Sequence, residues 1–227
     1  MATLGLIGSG LIGGTLARLA VNSGLDVVLS NSREPQTLSE LVTDLGPRAR
    51  AGTPQEAAAA GDWVVVTIPL KAYRSVPQEP LAGRTVLDTN NYYPQRDGAF
   101  PELDAKETTT SELLQRHLPG AHVVKAFNNI FFRHLADLPR PAGAQDRTAL
   151  PIAGDDAGAK ARATELLDLL GYDAVDAGPL AEGWRFEPGT PVYGIPYAAE
   201  ASPRFAELPA GPAPATEIAK LLEAARR

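Results

Sequence analysis

The chain of 227 residues contains no cysteine, which excludes disulfides, thiolate metal sites, iron–sulfur clusters and a cysteine nucleophile. Histidine is nearly as scarce: His117, His122 and His134 have spacings that fit no common zinc pattern, and each reads as an ordinary surface or core residue. No stretch approaches the roughly 18 consecutive apolar residues of a membrane-crossing helix. Met1 to Val21 is apolar but lacks a basic region ahead of its apolar part. Gly5, Gly8, Gly10 and Gly13 also interrupt it, so it does not read as a signal peptide. A soluble, cytoplasmic protein is expected. Basic residues are the minority, 21 Lys and Arg against 27 Asp and Glu, for a formal net charge of −6. That balance argues against nucleic-acid or anionic-membrane binding, both of which need a basic face. The G-x-S-x-G and G-x-x-x-x-G-K-[ST] patterns are absent too, leaving a hydrolase triad and a phosphate-loop nucleotidase without their anchors.

Hydrophobic residues make up 44% of the chain, enough for a substantial core. Thr3–Ile7 is a short apolar run, and Leu11 to Ser23 reads as a helix with Leu16, Leu19 and Ala20 on one face and Gly24 as its stop. Asp26–Ser30 is a second strand. Pro35 suits the start of a helix carrying Leu38, Leu41, Val42 and Leu45, which Gly46-Pro47 ends. Thr53-Pro54-Gln55-Glu56 is a capping box ahead of an Ala-rich helix. Trp63–Ile68, Thr85–Asp88 and His122–Ala126 are unbroken apolar strands of the kind found in a parallel sheet covered on both faces. Weaker patterns place a strand at Ala149–Ala153, a helix at Ala159–Leu170 and a last strand at Asp173–Asp176. Residues 178–214 read as irregular, followed by a helix capped by Thr216 with Ile218, Leu221, Leu222 and Ala225 on its buried face. The expected fold class is α/β, a Rossmann-type doubly wound, mostly parallel sheet. Residues 1–145 would form the nucleotide-binding domain, and 146–227 a small C-terminal extension on the acceptor side.

Gly8-Ser9-Gly10-Leu11-Ile12-Gly13 fits G-x-G-x-x-G, and it follows one predicted strand and opens one predicted helix. That context points to dinucleotide binding, with the pyrophosphate at the helix N-terminus. The second strand ends Ser30-Asn31-Ser32-Arg33, without the acid that would bind the ribose hydroxyls of NAD. Asn31 and Ser32 can donate to a 2′-phosphate and Arg33 can add a charge-assisted bond, so NADP is preferred over NAD. Three further strand ends carry polar or aromatic clusters: Ile68-Pro69-Leu70-Lys71, Asp88-Thr89-Asn90-Asn91-Tyr92-Tyr93 and Lys125-Ala126-Phe127-Asn128-Asn129. Ligands of open α/β sheets bind beyond the carboxyl ends of strands, so these clusters predict one lined crevice. Ile68, Pro69, Leu70, Asn90, Asn91, Ala126 and Asn128 are candidate cofactor contacts, and Leu70 or Phe127 could cover a nicotinamide face.

Together with Asp176-Ala177-Gly178-Pro179-Leu180, these motifs make the chain resemble the F420-dependent NADP oxidoreductases along nearly its whole length. A related cytosolic module occurs in membrane ferric reductases that pass hydride from NADPH to a flavin. The resemblance implies direct hydride transfer between NADP(H) and the deazaflavin coenzyme F420. It implies that Phe127, Asn128 and Asn129 border the nicotinamide; His134 and Tyr193 to Tyr197 are candidates for the acceptor side. Two alternatives stay open. One is an NADPH-dependent reductase of a flavin, quinone or small imine or carbonyl, for which Tyr92, Tyr93, Lys71 and Lys125 are the available proton donors. The other is a non-catalytic NADP(H) sensor. The C-terminal helix is a candidate homodimer surface, or a cover for its own sheet.

Overall fold

The structure is a computed structural model that describes residues 1–227. Eight strands form one sheet: β1 (Thr3–Ile7), β2 (Asp26–Ser30), β3 (Ala49–Ala51), β4 (Trp63–Val66), β5 (Thr85–Asp88), β6 (His122–Lys125), β7 (Ala149–Gly154) and β8 (Asp173–Asp176). Their order is β3-β2-β1-β4-β5-β6-β7-β8. All neighbours are parallel except β6 and β7, which run antiparallel through Val124↔Gly154 and Lys125↔Ala153. The helices are α1 (Leu11–Asn22), α2 (Ser39–Leu45), α3 (Pro54–Ala60), α4 (Pro94–Asp97), α5 (Pro101–Asp104), α6 (Thr110–His117), α7 (Phe132–Asp137), α8 (Ala157–Leu169) and α9 (Ala215–Ala224). None is long and apolar enough to cross a membrane.

Strand residues alternate between two apolar layers. Leu4, Leu6, Trp63 and Val65 join one buried cluster, while Ile7, Val64 and Val66 join the other. Both faces are therefore covered, which is why these strands are apolar without a gap. Each fully buried Leu or Val contributes about 1.5–3 kcal/mol. Residues 146–227 extend the same sheet, and α9 packs Ile218 and Leu222 into the first cluster. Its apolar face thus covers its own sheet.

Differences from the sequence reading are local. The turn begun by Pro35 is 3-10 as far as Leu38, and α2 starts at Ser39. Pro214 precedes α9 without a side-chain cap, which puts Thr216 inside the first turn rather than at its cap. Residues 178–214 form 3-10 turns at Leu180–Phe186, Ile195–Tyr197 and Phe205–Glu207. Helix α6 was not read from the sequence, although Thr109 and Glu112 form a capping box.

The chain runs outward from β1 through β2 to β3 on one side, and through β4 to β6 on the other. The two directions diverge between β1 and β4. A crevice opens there at the carboxyl ends of the strands.

Candidate active site

Gly8 leaves β1 with φ +110°, and a Cβ there would lie 2.2 Å from the Thr67 carbonyl oxygen. At Gly13 a Cβ would lie 2.4 Å from the Gly8 carbonyl oxygen. These two glycines are required by close approach within the protein. Gly10 differs, because a Cβ there would meet nothing within 4 Å. It caps α1, whose first turn carries no acid and no side-chain cap. The N–H groups of Leu11, Ile12 and Gly13 donate to no protein acceptor, while Gly14 N–H closes the first helical bond onto Gly10 O at 2.7 Å. Unpaired donors and the helix dipole favour a negative charge here, and the space beside Gly10 is open.

The turn after β2 is organised by Asn31. Its Oδ1 accepts from Arg33 N–H at 2.8 Å, and its Nδ2 donates to Thr37 Oγ1 at 2.9 Å. Asn31 therefore shapes the turn, and Ser32 and Arg33 project as exposed groups. Arg33 is the cation at this strand end, and its guanidinium has no carboxylate partner within the protein.

Between these parts lies a cleft of about 440 Å³. Gly10, Leu11 and Ile12 form one side together with Thr67, Ile68 and Pro69. The floor is Thr89, Asn91 and the run Phe127–Ile130, and an aromatic wall of Tyr93, Phe131, Phe132, Tyr193 and Phe205 faces the glycine loop. Phe127 holds φ +59°, a conformation that costs a non-glycine residue about 1–3 kcal/mol and persists where packing enforces it. The turn carries the chain from β6 into Asn128 and Asn129. Asn128 Nδ2 donates to Asn91 Oδ1 at 3.0 Å and to Phe186 O at 2.9 Å, and Asn91 Nδ2 donates to Asn128 O at 2.7 Å. Asn129 Nδ2 donates to Val192 O at 3.0 Å and to the Tyr197 hydroxyl at 2.7 Å. Both Asn128 Oδ1 and Asn129 Oδ1 are buried without a partner. These two acceptors suit a ligand amide.

Not every expected residue reaches the cleft. Leu70 and Ala126 are fully buried in the core beneath it, so neither covers a ring. Asn90 is buried as well, with its carbonyl accepting from Lys125 Nζ at 3.0 Å and its side-chain amide unpartnered. Ser9 lines a neighbouring groove against α7 rather than this cleft. His134 is buried and turned away, with Nε2 against Leu208 O at 3.0 Å. Tyr197 is fully buried, whereas Tyr193 lines the wall. Of the four expected proton donors only Tyr93 reaches the cleft. The Tyr92 hydroxyl donates to Asp104, Lys71 lies on another surface, and Lys125 is fully buried.

Lys125 anchors a polar cluster below the floor. Its ammonium bonds Thr110 Oγ1 at 2.7 Å, Glu187 Oε1 at 3.0 Å and Ser111 Oγ at 3.3 Å, and Ser111 donates to Asp88 at 2.6 Å. Burial pushes the Asp88 carboxyl above its ordinary range, against the pull of Lys125. Burial opposes ionisation of Glu187 most strongly, but the adjacent Lys125 and the Thr110 hydrogen bonds together outweigh it and hold that carboxyl below its ordinary range. The cluster ties β5, β6, α6 and the segment after Phe186 together and leaves no charge on the cleft side.

The sequence reading missed Arg96, Phe131, Phe132 and Phe205. A signal was present: the chain has only 6 phenylalanines, and Phe131-Phe132 follows the Asn128-Asn129 cluster after the single residue Ile130. Arg96 had none, because its place depends on how α4 turns back over the strand ends.

Residues 3–92 match the family model described as NADP oxidoreductase, coenzyme F420-dependent. Metalloreductase STEAP3 of Rattus norvegicus is 29% identical over 186 residues, 81% of this chain and 35% of the rat protein. The chain thus spans about a third of that relative's length. Among solved structures, a hypothetical protein of Sinorhizobium meliloti aligns with TM-score 0.73 and 28% identity, covering 85% of this chain and 93% of that one. A protein provisionally assigned as an F420-dependent NADP-reductase from Arthrobacter sp. FB24 aligns with TM-score 0.65 and 27% identity, covering 79% and 85%. An imine reductase of Streptomyces aurantiacus, at 17% identity and TM-score 0.55 over 79% of this chain and 56% of that one, shares the fold alone. The matched segment contains the glycine loop and Asn31–Arg33, and it ends one residue before the aromatic wall begins at Tyr93. That nucleotide-binding segment, residues 3–92, is similar to the coenzyme F420-dependent NADP oxidoreductases, and the chain as a whole shares the fold of NAD(P)-dependent oxidoreductases.

Proposed function

We propose that the protein transfers a hydride between NADP(H) and a planar heterocyclic acceptor, a deazaflavin of the coenzyme F420 type. One observation carries this reading. The cleft runs from a phosphate-binding helix terminus to an aromatic wall, and no carboxylate, histidine or lysine lines it. Hydride transfer between two ring systems needs such a site, because positioning rather than acid–base chemistry supplies most of the acceleration.

The residues present fit the nucleotide. The N–H groups of Leu11, Ile12 and Gly13 would receive the pyrophosphate, Ser32 and Arg33 the 2′-phosphate, and Asn128 Oδ1 or Asn129 Oδ1 the carboxamide N–H. Ile68, Pro69 and Phe127 would border the nicotinamide, and Tyr193 and Phe205 the acceptor. Bound NADPH would supply a hydride, and the matching proton would come from solvent at the acceptor ring's exposed edge, outside the apolar lining. The chain's part is to bind both rings, hold them face to face and exclude water with its apolar lining.

Mixing the protein with NADPH and oxidised F420 should bleach the deazaflavin absorbance rapidly, and NADH should do so slowly. Tight NADPH binding without bleaching would remove F420 as acceptor. Tight binding without turnover of any acceptor would favour the sensor reading.

A second reading rests on Tyr93, which lines the cleft and whose hydroxyl meets that of Tyr193. Burial and the shared hydrogen bond with Tyr93 push the Tyr193 phenol up, so the Tyr193 hydroxyl keeps its proton at neutral pH, and through that contact the two phenols could supply a proton to an imine or carbonyl. In that case Tyr93→Phe would abolish reduction of an imine, whereas deazaflavin reduction would survive the same change.

A further inference from the structure

We infer that Arg96 selects hydride acceptors whose ring carries a phosphate or carboxylate side chain. This rests on the reading of the cleft as an acceptor site. Arg96 is the only charged residue lining it. Its guanidinium is held on three sides: Nε and Nη2 donate to the Asp97 carboxylate at 3.0 and 2.8 Å, Nη2 donates to Asn91 O at 2.9 Å, and the plane lies 4.8 Å over the Tyr93 ring. Asp97 is itself fixed, with a fully buried side chain that accepts from Tyr93 N–H at 3.0 Å and Lys71 N–H at 3.4 Å.

Nη1 has no partner in the protein, and 42% of the side chain remains accessible. Two donors on one rigid edge are occupied while the other edge stays open, which is a guanidinium prepared for an anion. Because its rotamer is already set, binding costs little further ordering, and a charge-assisted bond gives more than a neutral one. The nucleotide phosphates have separate donors after β1 and β2, whereas α4 follows β5. The anion facing Arg96 therefore belongs to the second substrate. Tyr93 and Arg96 also lie outside the segment that matches the family model.

The test measures dissociation constants by fluorescence quenching with protein saturated in NADP⁺. Two ring pairs are compared: F420 against its side-chain-free 8-hydroxy-5-deazariboflavin, and FMN against riboflavin. The anionic member of a pair should bind at least about tenfold more tightly, and high salt should shrink the difference. Arg96→Gln should erase the difference while leaving the neutral ring within about twofold, and Arg96→Lys should retain part of it. The NADP⁺ dissociation constant and the melting temperature of each variant report whether the fold and the nucleotide site persist. If Arg96→Gln does not fold, the Lys variant and the salt series carry the test. Equal affinities within both pairs, or a variant that weakens neutral and anionic rings alike, would overturn the inference and leave hydride transfer intact. No binding of any of the four rings would overturn the acceptor reading and this inference together.

Discussion

Tyr93 and Tyr193 meet hydroxyl to hydroxyl at the cleft, although 100 positions separate them in the chain. Their contact joins the loop after β5 to the irregular segment that follows β8. Gly194 N–H donates to Asn129 O at 2.8 Å, and the Tyr193 and Phe205 rings meet edge to face at 6.0 Å. Through these contacts Tyr193, Phe205 and Ala206 become part of the wall of the site.

Gly10 and Gly13 should respond oppositely to the same change. Gly10→Ala adds a methyl group to open space at a φ of −73°, so unfolding measurements should show a loss of no more than about 1 kcal/mol, the cost of a poorer cap. NADPH affinity should fall by at least about tenfold, because the methyl occupies the pyrophosphate's path. Gly13→Ala places its methyl on a backbone oxygen and should fail to fold stably.

Arg33→Ala should weaken NADPH binding by about tenfold or more and leave NADH binding nearly unchanged, because the lost bond is to the 2′-phosphate alone. The side chain is exposed, so the melting temperature should not move. Titration of both nucleotides against the variant checks this, and equal weakening of the two would refute the assignment of the strand end.

Lys125 is fully buried against Glu187. Lys125→Met leaves a buried carboxylate unpaired and should cost about 3–5 kcal/mol in denaturant unfolding. Adding Glu187→Gln should recover much of that loss, because the second change removes the uncompensated charge. A double-mutant cycle measures the coupling.

Acid should unfold the protein through Asp97 and Glu187. Burial opposes ionisation at both, but the Arg96 and Tyr93 N–H hydrogen bonds at Asp97, and Lys125 with the Thr110 hydrogen bonds at Glu187, hold them below the ordinary range. A carboxylate depressed in the folded state stabilises above its unfolded value, about 4, and that stability is lost as pH falls through the folded value. Asp88 acts in the opposite sense: raised by burial, it stabilises below its unfolded value, and the contribution disappears as pH rises through its folded one. Urea midpoints should therefore drop below about pH 4, and Asp97→Asn should flatten that limb.

Most of the strands, and the placing of the glycine loop between β1 and α1, were legible in the sequence alone. Strands β1, β2 and β5 could be placed to the residue because buried parallel strands are unbroken apolar runs, and a glycine loop between strand and helix has one common use. Those signals are local, carried by backbone geometry within a few residues. The acceptor end was not legible in the same way. Whether Asn90 or Asn91 faces the cleft, whether His134 is buried, and where Arg96 points depend on how segments distant in sequence pack against the strand ends. Tertiary structure decided those positions, because a side chain's direction in an irregular segment follows from its long-range partners rather than from any periodicity of its own.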